Sequence, residues 1–173
     1  MKEKQINTLC IIEEGDEVIL AMKKRGFGEG RWNGYGGKPE PEEEIEAAAK
    51  RELFEESGVT AMEIKKRGVV EFDFEGTDRL VEVHIFEVTK HEGEPKETEE
   101  MRPEKFRKED ISYDEMWPAD REWMPYFFKG RDFTGKVIFD AEGKKFLKAE
   151  IEEVPKDFWQ EKEIPKGNGE RLG

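Results

Sequence analysis

Glu52, Glu55 and Glu56 lie in the run Arg51-Glu52-Leu53-Phe54-Glu55-Glu56-Ser57-Gly58. If that run is helical, an advance of roughly 100° per residue puts the three carboxylates within a third of the circumference. They then share one face near the C-terminal end of the helix, where the dipole is negative and anions are disfavoured. Like charges three and four residues apart also repel. A divalent cation reverses that balance. Hard carboxylate oxygens suit Mg²⁺ or Mn²⁺, which keep several waters and a substrate phosphate in their shell. Arg51 falls on the neighbouring face and is placed to pair with Glu43, tying the preceding glycine-rich loop to the helix. For three helical carboxylates alone, a solvated acidic face is the competing explanation.

These side chains need a helix with defined ends. Pro41 precedes it, acidic residues fill its first turn, Ala47-Ala48-Ala49 form its centre and Gly58 stands just past its end, so the helix is expected over Glu42 to Ser57. Before it, Ile6 to Ile12 and Val18 to Met22 read as a hairpin around Glu14-Gly15-Asp16. Residues 24 to 41 then form a long loop with glycines at 26, 28, 30, 34, 36 and 37, and long loops in small domains are usually functional. Val69 to Phe74 and Leu80 to Val88 are strand candidates about the turn Glu75-Gly76-Thr77-Asp78, and His91 to Glu100 is a polar, acidic loop. Asp120 to Lys129 is expected to be a second helix despite Pro125. Phe133 to Phe139 and Lys145 to Glu152 form a last hairpin about Glu142-Gly143. The sum is a mixed fold of short strands and two helices, with no internal repeat. From Pro155 to Gly173 the composition changes to that of a tail with a mobile end, in which Phe158 and Trp159 can dock on the body.

A chain of 173 residues suits one core. Only 35% of residues are hydrophobic and 42% are charged, but 12 Phe and 4 Trp supply enough apolar area to exclude a disordered chain. A net charge of −13 argues against binding polynucleotides or anionic lipid. It also repels a small phosphate ester unless a cation bridges the two. The lone cysteine, Cys10, sits among Leu9, Ile11 and Ile12 and reads as core packing; it allows no internal disulfide. With no export signal or apolar span visible, the expectation is a monomeric cytoplasmic protein.

The fixed spacing of Gly37, Glu43, Arg51, Glu52, Leu53, Glu55, Glu56, Gly58 and Val59 resembles the Nudix box, G-x5-E-x7-R-E-U-x-E-E-x-G-U with U aliphatic, at every specified position. The resemblance implies an α+β fold, an α/β/α sandwich with a mixed sheet, in residues 1–154. It implies a divalent metal, Mg²⁺ with Mn²⁺ as a substitute, and hydrolysis of a nucleoside diphosphate linkage. Glu52 and Glu56 are then the foremost metal ligands. Glu55 is a further ligand or base, the Gly36 or Gly37 carbonyl can face the metal, and Glu100 matches an additional downstream glutamate.

Outside the box, the runs Met22 to Gly28, Gly30 to Gly37, Glu100-Met101-Arg102-Pro103 and Met116-Trp117-Pro118 with Trp123 look like the animal-type oxidised purine nucleoside triphosphate hydrolases, from about Ile6 to Val154. The base pocket implied by that family comprises Thr8, Phe27, Asn33, Phe72, Trp117, Asp120, Trp123 and Phe139. In it Trp117 stacks on the purine, Asn33 and Asp120 read its polar edge, and Lys23 meets the phosphates. One departure matters: the family has two adjacent aspartates after Trp-Pro, and here the pair is Ala119-Asp120. Val81 also stands where the family often has methionine. The metal site is untouched by either change. Two alternatives keep the fold: the same chemistry on ADP-ribose or a dinucleoside polyphosphate, or a nucleotide sensor without turnover. Retention of all three box glutamates speaks against the sensor.

Overall fold

The computed structural model describes residues 2–160. The chain runs through β1 (Glu3–Glu14), β2 (Glu17–Lys23), β3 (Trp32–Asn33), α1 (Ile45–Ser57), β4 (Thr60–Phe74), β5 (Arg79–Glu92), β6 (Met101–Arg107), α2 (Asp120–Phe128), β7 (Phe133–Phe139) and β8 (Phe146–Glu153). Two 3-10 turns, Lys108–Asp110 and Tyr113–Glu115, lie between β6 and α2. All eight strands join one sheet in the order β3-β2-β1-β5-β4-β7-β8, with β6 on the free edge of β2. The β1/β5 and β4/β7 pairs are parallel and the others antiparallel, which makes the mixed sheet of an α+β fold.

Period-two alternation divides the apolar residues between two layers. Cys10, Ile12, Ile19, Ala21, Phe86 and Val88 pack with Ala49 and Leu53 of α1. Ile11, Val18, Leu20, Val70, Val81 and Ile85 pack with Trp123, Met124 and Phe127 of α2. Sequence neighbours such as Cys10 and Ile11 thus face opposite helices, and the sheet lies between the two. Cys10 is fully buried, and burial pushes its thiol pKa up.

Several boundaries differ from the sequence expectation. The helix carrying the three glutamates begins at Ile45, not Glu42, because Glu42 takes a left-handed turn at φ 66° and Glu43 N–H bonds the Glu40 carbonyl at 3.0 Å. Its far end is as expected, with Gly58 at φ 81° donating to the Phe54 carbonyl. β4 starts at Thr60 rather than Val69. The extra length is polar, but β5 pairs with it through three register shifts, and Arg67 is buried against Asp132 at 2.6 Å and Glu87 at 3.2 Å. His91, read as a loop residue, is in β5 and contacts Glu14 at 3.0 Å. β6 was not expected at all. It contains Pro103 and four charged residues, and it is tolerated because it is an edge strand bonded to β2. α2 keeps Pro125 inside and ends at Phe128.

Residues 155–160 return to the body. Trp159 Nε1 donates to the Phe133 carbonyl at 2.9 Å, Gln160 Nε2 to the Lys66 carbonyl at 2.7 Å, and the Asp157 N–H to Asp132 at 2.8 Å. The tail end for which mobility was expected, 161–173, lies outside the described residues.

Candidate active site

The segment 32–37 creates the site by wedging between two strands. β1 and β2 pair through Ile12–Glu14 and Glu17–Ile19. Further along the same edge of β2, Ala21 and Met22 pair instead with Asn33 and Trp32. The other side of the wedge bonds β1, from the Tyr35 N–H to the Cys10 carbonyl at 3.0 Å and from the Thr8 N–H to the Gly37 carbonyl at 2.8 Å. Such close approach leaves no room for side chains. A Cβ would strike the Cys10 carbonyl from Gly34, the Thr8 carbonyl from Gly36 and the Glu52 carboxyl from Gly37. Gly36→Ala is therefore expected to open the wedge and lower kcat/KM by about 100-fold, together with a lower urea midpoint. Wild-type kinetics in that variant would show that the close approach is dispensable.

Behind the wedge, Arg51 organises the carboxylates. Its Nε and Nη2 clamp Glu43 at 2.8 and 2.9 Å, and Nη2 also reaches the Lys38 carbonyl at 3.1 Å, which fastens the loop to α1. Its Nη1 contacts Glu52 at 3.0 Å and Glu55 at 3.2 Å. The guanidinium holds the Glu43 carboxyl down to about 2, and Glu43 in turn raises the pKa of Arg51. Glu56 points into the wedge and accepts the Gly36 N–H at 2.9 Å. Burial pushes its pKa up to about 7, and the charges of Glu52 and Glu100 add to that push, against the Gly36 N–H and Lys23.

A cavity of about 310 Å³ continues from this end across the α2 side of the sheet. Its far wall is aromatic. Trp117 lies 5.0 Å from Phe27 and 6.1 Å from Phe139 between ring centroids, and Phe72 stacks on Phe139 at 5.8 Å. Asp120, the first residue of α2, is 5% exposed; Oδ1 accepts the Trp123 indole N–H at 3.1 Å and Oδ2 is buried with no hydrogen-bond partner. Burial pushes the Asp120 pKa up to about 7. Asn33 Oδ1 accepts the Gly34 N–H at 2.9 Å, and the residue lines the cavity. Ala119 is fully buried and brings no polar group.

The structure thus gathers Thr8, Lys23, Phe27, Asn33, Phe72, Trp117, Asp120, Trp123 and Phe139 around one cavity, with Gly36, Gly37 and Glu56 at its other end. Glu52 abuts Gly37, and Glu100 stands 3.7 Å from Lys23. Glu55 is more than half exposed and turned to Arg51. The Gly37 carbonyl is engaged by the Thr8 N–H and hydroxyl. Among the described residues, no three acidic, His or Cys side chains already converge as a metal cage. Two cavity neighbours had no sequence signal of their own. Arg79 lies over the Phe27 and Phe74 rings at 4.3 and 4.6 Å, and Arg31, part of the glycine-rich motif, lies 4.2 Å from the Trp117 ring.

Comparison with known families settles the lineage, because the family model described as NUDIX domain matches residues 3–127. The chain belongs to the NUDIX family. Within it, the chain is 43% identical over 139 residues to the oxidized purine nucleoside triphosphate hydrolase of Mus musculus, covering 80% of this chain and 89% of the relative. The protein of the same name from Danio rerio is 44% identical over 141 residues, covering 82% and 90%. Among solved structures, a MutT protein from Bacillus halodurans superimposes with a TM-score of 0.77 at 27% identity, over 86% of this chain and 97% of that one. NUDIX hydrolases act generally with a divalent metal on nucleotide anhydrides. No helix among the described residues is long and apolar enough to cross a membrane.

Proposed function

We propose that this chain hydrolyses oxidised purine nucleoside triphosphates to the monophosphate and pyrophosphate, clearing damaged precursors from the nucleotide pool. The carrying observation is a single cavity that joins a stacking indole and a buried, half-satisfied carboxyl at one end to Glu56 and the Gly36-Gly37 wedge at the other. The two animal relatives bear the name of this activity.

The residues fit a divalent cation. Glu56 lies where two other carboxylates destabilise its charged form, and a cation would relieve all three. Glu52, Glu56 and the Gly36 carbonyl would hold it, with Glu55 and Glu100 as further oxygen donors reached by side-chain rotation. When bound, Mg²⁺, or Mn²⁺ in its place, neutralises phosphate charge and makes water a better nucleophile. A carboxylate of this group takes the proton of the attacking water. The water oxygen bonds to phosphorus as the α–β bridging bond breaks, releasing monophosphate and pyrophosphate. Lys23, on the cavity wall beside this end, meets the phosphates. Arg51 and Glu43 touch no substrate; they keep the loop and α1 in register.

At the other end Trp117 stacks on the purine, with Phe27, Phe72, Trp123 and Phe139 shaping the slot and Thr8 bracing the wedge. Asn33 donates to the base and Asp120 supplies an acceptor as carboxylate or a donor as carboxylic acid. With Ala119 beside it, Asp120 is the carboxyl that discriminates between bases. We take the protein to be a cytoplasmic monomer that acts on free nucleotides, binding neither polynucleotide nor membrane, in keeping with its net charge of −13.

A panel of dGTP, 8-oxo-dGTP, 2-hydroxy-dATP, O6-methyl-dGTP, ADP-ribose and diadenosine tetraphosphate, assayed with Mg²⁺ for pyrophosphate and monophosphate products, tests this assignment. One damaged purine should exceed dGTP in kcat/KM by about tenfold or more. Fast cleavage of ADP-ribose or the dinucleotide with no preference for damaged purines would instead place the chain on another branch of the same chemistry.

A further inference from the structure

Arg31 sits where it can govern the base pocket without touching the base. Its guanidinium lies 4.2 Å from the Trp117 ring centroid. Its Nη1 is buried and has no hydrogen-bond partner. The loop that carries it is folded against the same indole: the Lys23 N–H bonds the Arg31 carbonyl at 3.1 Å, the Arg31 N–H bonds the Gly28 carbonyl at 3.2 Å, and a Cβ on Gly28 would lie 3.5 Å from Trp117. Trp117 lines the cavity and Arg31 does not, so the indole separates the guanidinium from the space left for the purine. A cation over an aromatic face attracts it through the ring quadrupole, and the attraction grows when the pair is desolvated.

The same guanidinium has a minor electrostatic influence on Asp120. The groups facing that carboxyl are the Trp123 indole N–H on α2, the Trp117 backbone, Tyr113 from the turn before α2, and Arg31 from the glycine-rich loop. Arg31 is the cation in that set, and it favours the ionised carboxylate against the cost of burial. Asp120 Oδ2 and Arg31 Nη1 are both buried without a hydrogen-bond partner. Uncompensated buried polar atoms are uncommon and call for a role.

We propose that Arg31 is a positioning residue of the base pocket: from behind Trp117 it holds the indole as the stacking platform for the purine. This rests on the base-recognition function proposed above. Arg31 takes no part in phosphate chemistry, so its loss acts on KM rather than on kcat.

The test is steady-state hydrolysis of 8-oxo-dGTP and dGTP by the full chain with Mg²⁺ for wild type, Arg31→Met and Arg31→Lys. Methionine keeps much of the side-chain bulk against the indole and removes the charge. In Arg31→Met, KM for 8-oxo-dGTP should rise about tenfold and kcat should stay within about twofold. Arg31→Lys should recover only part of the affinity, since an ammonium lacks the planar face that stacks on the indole. Unaltered KM in Arg31→Met, or a fall in kcat at constant KM, overturns the proposal. A wild-type KM in Arg31→Lys overturns it too, and that variant carries the test should Arg31→Met fail to fold. A wild-type chain with no preference among purines defeats the base-recognition function and this proposal with it, whereas a selective wild type with an indifferent Arg31→Met defeats this proposal alone.

Discussion

Glu56→Gln should lower kcat by about three orders of magnitude or more, with the fold intact. Glutamine preserves the length of the side chain and the acceptor for the Gly36 N–H, which lies 2.9 Å from Glu56 Oε1, so the wedge between β1 and β2 survives. What disappears is the charge that a divalent cation would use. Glu56 is also a half-buried carboxyl pushed up to about 7 by burial and by Glu52 and Glu100, so neutralising it relieves strain rather than creating it. The variant is therefore expected to be inactive and at least as stable as wild type. Single-turnover hydrolysis over a Mg²⁺ titration, with urea denaturation beside it, decides the matter. Activity within about tenfold of wild type would remove Glu56 from the reaction.

Asp120→Asn should change stability and selectivity in opposite directions. The folded Asp120 has its pKa pushed up to about 7 by burial, from an ordinary value of 3.8. Below about pH 4 the carboxyl is protonated in both folded and unfolded chains and costs nothing. Between about pH 4 and 7 the folded chain holds a proton that the unfolded chain has lost, so stability falls as pH rises. Above about pH 7 the full cost of a buried anion is present, on the order of 4 kcal/mol. An asparagine removes that cost, so the variant should be the more stable protein at pH 8.5 and close to wild type at pH 4. Its kcat/KM for the preferred oxidised purine should fall by about 10-fold to 100-fold, because an amide cannot replace a carboxyl at both protonation states. Urea midpoints at the two pH values and kinetics on the substrate panel measure both effects. Equal stabilities at both pH values, with selectivity unchanged, would mean that Asp120 is a packing residue. The pairing of the two expectations is informative: a group that destabilises the fold and is kept open toward a cavity is a group retained for binding.

The helix bearing Glu52, Glu55 and Glu56 was legible because everything that defines it is local. The spacing of Glu52, Glu55 and Glu56 follows from helical periodicity, and so does the reach of Arg51 back to Glu43, observed at 2.8 and 2.9 Å. Gly58 as a left-handed stop needs only its own backbone. The residues assigned to a base pocket by motif resemblance gather around one cavity although they come from β1, β2, the glycine-rich loop, β4, β7, α2 and the segment before it.

Other features depend on partners far away in sequence. The stretch before Val69 is polar and carries no strand pattern, yet β5 pairs with it and Asp132, sixty-five residues on, neutralises Arg67. β6, with Pro103 and its charges, is a strand only because β2 has an edge to fill. The true start of α1 lies after the left-handed turn at Glu42 and the pairing of Glu43 with Arg51, neither of which composition reveals.

By itself, then, the sequence determined the chemistry: a cation-demanding carboxylate face, the glycines that let a loop approach it, and the aromatic and amide residues suited to a purine. Tertiary structure alone decided how these act together. It inserted the 32–37 wedge between β1 and β2, left Asp120 Oδ2 open in a cavity, and laid Arg31 behind Trp117. The reason is physical. Ligand type and helical spacing are properties of neighbouring residues, whereas burial, desolvation and the field at a carboxyl are sums over every element packed around it.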